Sequence, residues 1–446
     1  MPLSDLLPPP APLGPMPAHA AHVGTTADTT AGTAASATAP TARFQEKRDT
    51  ILAAAAALFN ENGIKGATLA DIATRVGLVT TSITYYYRRK EDLATACFLQ
   101  AIAAYQAMAQ QAAAAPSVAA RVQQFFNLHA AQLGAIASGT QAPLILFNDI
   151  RALPEAQAAT VYAAYTAMFR TVRWLLVGPE TTALAREAVN ARAHLLLSVA
   201  LAMRVWITRH EADEYPRVAA RVANLLLQGL AGSNMQWPTE RALAWPALAD
   251  ADGLAGHEDT ADAFLRAATE LVNEQGYRGA SVDKISARLH VTKGSFYHHH
   301  ETKFDLISAC FARSFAVLRQ VLMAAEAAPG SGWQRSCAAT ALLVRFQLSA
   351  RGPLLRSTAT SALPDHAHRK QVSHTQQRLA DRMAVLLVDG LIDGSVRPQD
   401  MAAAARVLAS VIDAAAELRR WVPGANQDNA GWLYARPALL GLLCPA

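Results

Sequence analysis

From Phe44 onward, apolar residues recur at three- and four-residue spacing, the period of a helix with one buried face. Ile51, Leu52, Ala55, Leu58 and Phe59 form the first stripe, and Asn62-Gly63 closes it with a residue suited to a helix C-cap. A shorter segment carries Leu69, Ile72, Ala73 and Val76. Thr68 precedes it as an N-cap, Asp71 suits its dipole, and Gly77 ends it. Thr80 to Tyr86 makes a third helix, and Lys90-Glu91-Asp92 opens a long one through Cys97, Leu99 and Ile102. From there to Gly232 the pattern is helix after helix, punctuated at Pro116, Gly139, Pro154, Gly178-Pro179 and Tyr215-Pro216. No run of strand-type alternation stands out, so the predicted class is all-α.

The same order of segments then returns. LFNENGIKGATLADIATR, from Leu58 to Arg75, aligns without a gap on LVNEQGYRGASVDKISAR, from Leu271 to Arg288. The offset is 213 residues, as from Gly63 to Gly276, and it holds for Arg75 and Arg288, Lys90 and Lys303, and Cys97 and Cys310. Downstream the echo is looser, as in Leu153-Pro154-Glu155 against Leu363-Pro364-Asp365. A register this long marks a duplicated, two-unit chain. The predicted divisions are a tail (1–42), a first head (43–93), a first helical domain (94–232), a linker (233–258), a second head (259–306) and a second helical domain (307–446). The tail is rich in Pro, Ala and Thr and is expected to be unstructured, because it cannot bury enough surface to offset its ordering entropy. The linker holds Trp237-Pro238 and Trp245-Pro246, and is expected to pack against the bundles.

Composition narrows the function. Hydrophobic residues make up 52% of 446 and the mean hydropathy is +0.12, enough for large cores. A net charge of +5 permits a polyanionic partner. The four cysteines are far apart and lack zinc-ligand spacing, which suggests reduced thiols in a cytoplasmic protein. The absence of a long uninterrupted apolar run, and of a basic, apolar leader, argues against a membrane span or a signal peptide. No GxSxG, HExxH, P-loop or GxGxxG-plus-acid pattern is present, so neither an enzyme nor a cofactor is expected. His298, His299 and His300 are consecutive, and neighbours on a helix point about 100° apart, which does not suit one metal ion. His366, His368 and His374 read as a solvated loop after Pro364, so no metal is expected there either.

Two short helices joined by a tight turn, the second crowded with polar, basic and aromatic side chains, read as a helix-turn-helix. VTKGSFYHHHETKFDL, from Val291 to Leu306, resembles the signature of the tetracycline-repressor (TetR/AcrR) family, and LVTTSITYYYRRKEDL, from Leu78 to Leu93, resembles it less closely. The resemblance implies an all-α transcriptional regulator in which a three-helix DNA-binding head is joined to a larger helical domain that binds a small ligand and dimerises. Carried onto this chain, it implies that Ser281 caps the second helix and meets a phosphate. Thr292, Lys293, Gly294, Ser295, Tyr297 and His298 would lie on the recognition helix, and Lys303 would reach the backbone. The equivalents in the first head are Thr68, Thr80, Thr81, Ser82, Thr84, Tyr85 and Lys90. There Thr80-Thr81 replaces the usual Lys-Gly pair and Thr84 an aromatic, so the first reader is expected to be weaker or differently specific, with Arg88 and Arg89 as partial compensation.

Trp174, Trp206, Trp333 and Trp421 read as core residues first and as ligand-pocket candidates second. The resemblance implies double-stranded DNA and a small-molecule effector as partners. Duplication supplies both heads covalently, so one chain is expected to form a pseudo-dimer on half-sites about one helical turn (~34–36 Å) apart. The halves would pair through Ala219–Leu230 and Met401–Trp421, with further homodimerisation left open. The alternative is a duplicated helical interaction scaffold whose heads have lost DNA specificity.

Overall fold

A computed structural model describes residues 42–239, 243, 260–289, 302–363 and 366–445. The tail and most of the linker lie outside these residues, as does the second recognition helix with Thr292, Lys293, Gly294, Ser295, Tyr297 and His298.

The first head is α1 (Ala42–Gly66), α2 (Leu69–Arg75) and α3 (Thr80–Tyr86). α1 breaks at Gly63, whose φ of 68° is open to glycine at little cost. Thr68 caps α2 in a reciprocal capping box with Asp71. α4 (Lys90–Ala113) leaves the head and runs into a bundle with α5 (Val118–Ala137), α6 (Glu155–Trp174), α7 (Arg186–Trp206) and α8 (Tyr215–Gln228). A 3₁₀ turn, Phe147–Ala152, lies between α5 and α6.

The second unit repeats the plan. α9 (Thr260–Gly279) breaks at Gly276, and α10 (Val282–Arg288) is capped by Ser281. α11 (Lys303–Ala327) is capped by Thr302 in a box with Asp305. α12 (Gly332–Leu348), the 3₁₀ turn Ser357–Ala362, α13 (His366–Ile392) and α14 (Met401–Ala414) follow, with the short α15 (Leu418–Trp421) and α16 (Arg436–Leu440) at the end. His366, His368 and His374 are therefore on α13 and not in a loop: the helix begins at His366, and the proline of the sequence precedes its helical residues and so interrupts none of its hydrogen bonds.

Equivalent bonds recur at the offset of the repeat. Arg75 pairs with Glu61 at 2.9 Å and Arg288 with Glu274 at 3.1 Å. The thiol of Cys97 donates to the Leu52 carbonyl at 3.6 Å, and that of Cys310 to Leu265 at 3.4 Å. Burial pushes both thiols up to about 12, so neither behaves as a reactive thiolate.

The halves pack on each other through more than their expected last helices. α8 meets α14, but α7 is the larger partner: it lies against α14, α15 and the turn Gly431–Ala435. Arg192 of α7 is 3% exposed and donates to the carbonyls of Leu442 at 2.8 Å and Cys444 at 2.9 Å. His194 bonds the Ala414 carbonyl at 2.9 Å, and Asn190 donates to that of Trp421 at 3.2 Å. The two backbones approach closely at Gly229 and Gly441. A Cβ on Gly229 would stand 2.3 Å from the Leu439 oxygen, and one on Gly441 2.4 Å from that of Leu227. Arg186–Arg209 and Lys303–Ala327 are long and apolar enough to cross a membrane, yet 67% of the apolar window in the first is buried within the protein. At the linker's start, Trp237 packs on the shared core and the Gln236 carbonyl accepts from Trp333 Nε1 at 2.8 Å.

Candidate functional site

The first head presents its polar face on α3. Thr80, Thr81 and Tyr85 are exposed, Ser82 and Thr84 are half-buried, and Ile83 turns inward to the core. Tyr85 is 76% exposed, with its ring edge-on to Phe44, while Tyr86 lies closer to the same ring at 4.7 Å. Tyr87 sits against the core, where burial raises its phenol to about 12. Thr84 spends its hydroxyl on the Thr81 carbonyl at 2.9 Å. Lys90, at the start of α4, donates to the Ala67 carbonyl at 2.9 Å, which ties the loop before α2 to α4. In the second head, Ser281 and Lys303 are half-buried at the starts of α10 and α11, and the Ser281 hydroxyl accepts from the Lys284 amide at 3.3 Å.

In each head an asparagine at the equivalent position clamps the head to its helical domain. Asn60 donates to the Leu144 carbonyl at 2.9 Å and accepts from the Leu146 amide at 2.7 Å. Asn273, 213 residues on, donates to Leu354 at 2.8 Å and accepts from Arg356 at 3.0 Å. The two clamps lie side by side, and the 3₁₀ turns Phe147–Ala152 and Ser357–Ala362 each touch both α1 and α9.

Those turns form part of the wall of a cavity of about 680 Å³. This is within the ~300–1,000 Å³ usual for small-molecule sites. Its walls come from both halves: Leu201, Arg204 and Trp206 on α7, Phe315 and Leu318 on α11, and Met383 on α13. Of the four tryptophans expected from the sequence, Trp206 and Trp421 line it. Trp174 does not, and Trp333 is a core residue 1% exposed.

The polar wall is unevenly charged. Seven arginines line the cavity against two carboxylates, Asp413 and Glu417. Glu417 pairs with Arg356 at 3.1 Å and with Arg151 of the other half at 3.4 Å. Burial acts to raise its carboxyl, but Arg356 and Arg151, together with Arg420 and His194, outweigh that and hold it below the usual range. Burial raises Asp413, despite bonds from the Ser357 amide at 2.8 Å and hydroxyl at 3.2 Å. Arg151 also donates to the Asn273 carbonyl at 3.3 Å, so the cavity wall bonds directly to the second head.

Apart from its tryptophans, this lining is not among the residues expected from the sequence, although one signal pointed to it. In gap-free register Tyr105 corresponds to Leu318, and the clamps make Phe147 the counterpart of Ser357. In the first half, Tyr105 is fully buried 6.0 Å from Phe147 and 5.4 Å from His129, ring to ring; Tyr105 and His129 fill the interior, and Phe147 forms part of the cavity wall. In the second half the smaller counterparts line open space.

Comparison with known proteins bears on the heads. The family described as "Bacterial regulatory proteins, tetR family" matches twice, over residues 51–97 and 264–310. The Transposon Tn10 TetC protein of Escherichia coli is 38% identical over 61 residues, 14% of this chain and 31% of that protein. The match thus spans about a third of the length of that relative. Among solved structures, a TetR-family transcriptional regulator from Bordetella parapertussis is 21% identical, with 41% of this chain and 94% of that one covered at a TM-score of 0.35. The TetR-family regulator PfmR from Thermus thermophilus is 20% identical, with 42% and 96% covered at a TM-score of 0.33.

Proposed function

We propose that this chain, a tandem member of the tetR family of bacterial regulatory proteins, acts as a ligand-responsive transcriptional repressor in the cytoplasm and binds its operator as a single-chain pseudo-dimer. The observation that carries the reading is the paired asparagine clamp, which holds two heads side by side within one polypeptide. Because α3 carries Thr80-Thr81 where the second head's sequence has Lys293-Gly294, the operator is an asymmetric pseudo-palindrome. Thr68, Thr80, Thr81, Ser82, Thr84, Tyr85 and Lys90 serve one half-site. Ser281, Thr292, Lys293, Gly294, Ser295, Tyr297, His298 and Lys303 serve the other.

An effector in the cavity touches the turns that carry both clamps, so it favours one arrangement of the heads over another. A difference of a few kcal/mol in its affinity for the two arrangements is enough to release DNA. Selection of bound fragments from random duplex DNA, with light scattering of the complex, tests the reading. One chain per duplex with two unlike half-sites supports it. A mass of two chains per duplex removes the single-chain pseudo-dimer. No enrichment of any sequence leaves the helical interaction scaffold as the better account.

A further inference from the structure

The duplication has not left two equivalent ligand sites. Tyr105 occupies the interior of the first half and Phe147, beside it, forms part of the cavity wall, whereas their counterparts Leu318 and Ser357 are smaller and line the open space. The open space is closed by the other half: α7 supplies Leu201 and Trp206, and the 3₁₀ turn Ile207–Arg209 after it supplies Arg209. Its apolar walls and aromatic rings fit an apolar body. The arginines fit a negative end, and they are not equally committed. Arg151 and Arg356 are held by Glu417, Arg204 donates to the Leu144 and Ile145 carbonyls, and Arg420 lies over the Tyr162 ring at 3.9 Å. Arg369 donates to the Glu61 carbonyl at 3.4 Å. Arg209 and Arg406 face the cavity from opposite halves, and Arg406 donates to a neutral partner, the Gln377 amide oxygen, at 3.0 Å. Burial first, and then Arg209, weaken Arg406's hold on its proton, with Asp381 and Asp400 partly offsetting them. An anion between the two guanidiniums would relieve that repulsion.

We infer that the chain binds one amphipathic monoanion per two-headed chain, its apolar body in the second-half cavity and its acidic end between Arg209 and Arg406. The inference deepens the regulator reading and rests on it for the consequence at DNA.

Calorimetry on the full chain with 4-phenylbutyrate, 4-phenylbutan-1-ol and 4-phenylbutylamine tests it. The acid is expected to bind once per chain and on the order of tenfold more tightly than the alcohol, with the amine weakest. Arg209→Gln with Arg406→Gln is expected to bring the acid down to the alcohol's affinity. Leu318→Tyr with Ser357→Phe, which restores the rings of the first half, is expected to abolish uptake of both, and circular dichroism checks that this variant is folded. Two sites per chain, equal affinity for acid and alcohol, no uptake of any probe, or unchanged uptake by a folded filled variant would each overturn the inference. If the filled variant does not fold, the arginine pair alone decides. Binding to selected DNA without any probe is measured separately. A chain that takes the acid but selects no DNA sinks the regulator reading alone, and one that selects DNA but takes no probe sinks the site alone.

Discussion

Gly276 of the second head abuts the carboxylate of Asp149, which belongs to the first half: a Cβ built on this glycine would stand 2.9 Å from Oδ1. The other oxygen accepts the Ile64 amide at 3.1 Å, and a Cβ on Gly63 would stand 2.8 Å from it. One acidic side chain therefore lies against the breaks in α1 and α9 together. The counterpart of Asp149 in the second unit is Ala359, so this link is made once and not twice.

Asp149→Ala is expected to leave the half-buried Ile64 amide unpaired, at a cost of about 1–3 kcal/mol. Affinity for a two-half-site operator should fall, while affinity for an isolated half-site holds. Gly276→Ala, at a φ of 71° and a ψ of 167°, is expected to cost about 1–3 kcal/mol for this glycine-only backbone conformation alone. Urea melts and gel shifts on both duplexes measure these effects. Equal loss on the two duplexes would show that Asp149 supports folding without setting head spacing.

Much of the scaffold was legible before the structure. Thr68 and Ser281 announce helix starts because a short hydroxyl satisfies amides that no preceding turn can reach. The register of the repeat follows from Gly63 and Gly276, both at positive φ. Asp149 was not legible, since its role depends on two segments that meet only after the halves dock. The pairing surface was half legible. α8 and α14 are amphipathic and show their buried faces in sequence, whereas α7 is buried nearly all round along its middle, polar Arg192 and His194 included, and its periodicity does not say which face meets which neighbour. The cavity is lined by Leu318 and Ser357 where the first unit has Tyr105 and Phe147, and the significance of these differences requires knowing that the positions share an interior.

Arg192 joins the halves through buried backbone acceptors near the C-terminus. Hydrogen bonds from a charged donor contribute about 1.5–3 kcal/mol each, and two buried carbonyls lose their donor if it is removed. Arg192→Met is expected to lower the unfolding free energy by on the order of 3 kcal/mol. Removing residues 444–446 from the wild type should cause part of the same loss. In the combined variant the two effects should fall short of their sum, because both act through one contact. Full additivity in a double-mutant cycle would place the effect of Arg192 elsewhere.

Two buried histidines set an acid limit. Burial, opposed by a bond to the Ala200 carbonyl, lowers His129 to about 3, and burial opposed by the Ala414 carbonyl lowers His194 to about 4. An unfolded histidine takes its proton near 6.5, so below that pH the unfolded chain binds more protons than the folded one. Their contribution is fully present above about pH 6.5 and declines as pH falls, by about 1.4 kcal/mol per unit for each group. The decline ends near 4 for His194 and near 3 for His129. Asp413, raised by burial, works in the opposite direction. Melting temperatures between pH 7 and 5 should fall, and His129→Leu should flatten the profile. A parallel profile in that variant would show that His129 does not supply the dependence.

The weaker binding expected of the first head should be reversible by charge. Thr80 is exposed at the start of α3 and corresponds to Lys293 of the second head. Thr80→Lys places a cation at a helix N-terminus, which costs about 0.3–1 kcal/mol of stability. If it reaches a phosphate, the logarithm of operator affinity should fall more steeply with log salt, by about 0.9 for each phosphate newly neutralised. Tyr85→Ala removes an exposed ring and should leave stability within about 0.5 kcal/mol while weakening binding at the first half-site. Gel shifts at several salt concentrations on duplexes with either half-site scrambled separate the two heads. The change in slope should survive scrambling of the second half-site and vanish when the first is scrambled. The reverse pattern would assign the two half-sites the other way round. An unchanged slope on both would mean that α3 does not approach the backbone at Thr80, and that the first head holds DNA through other residues.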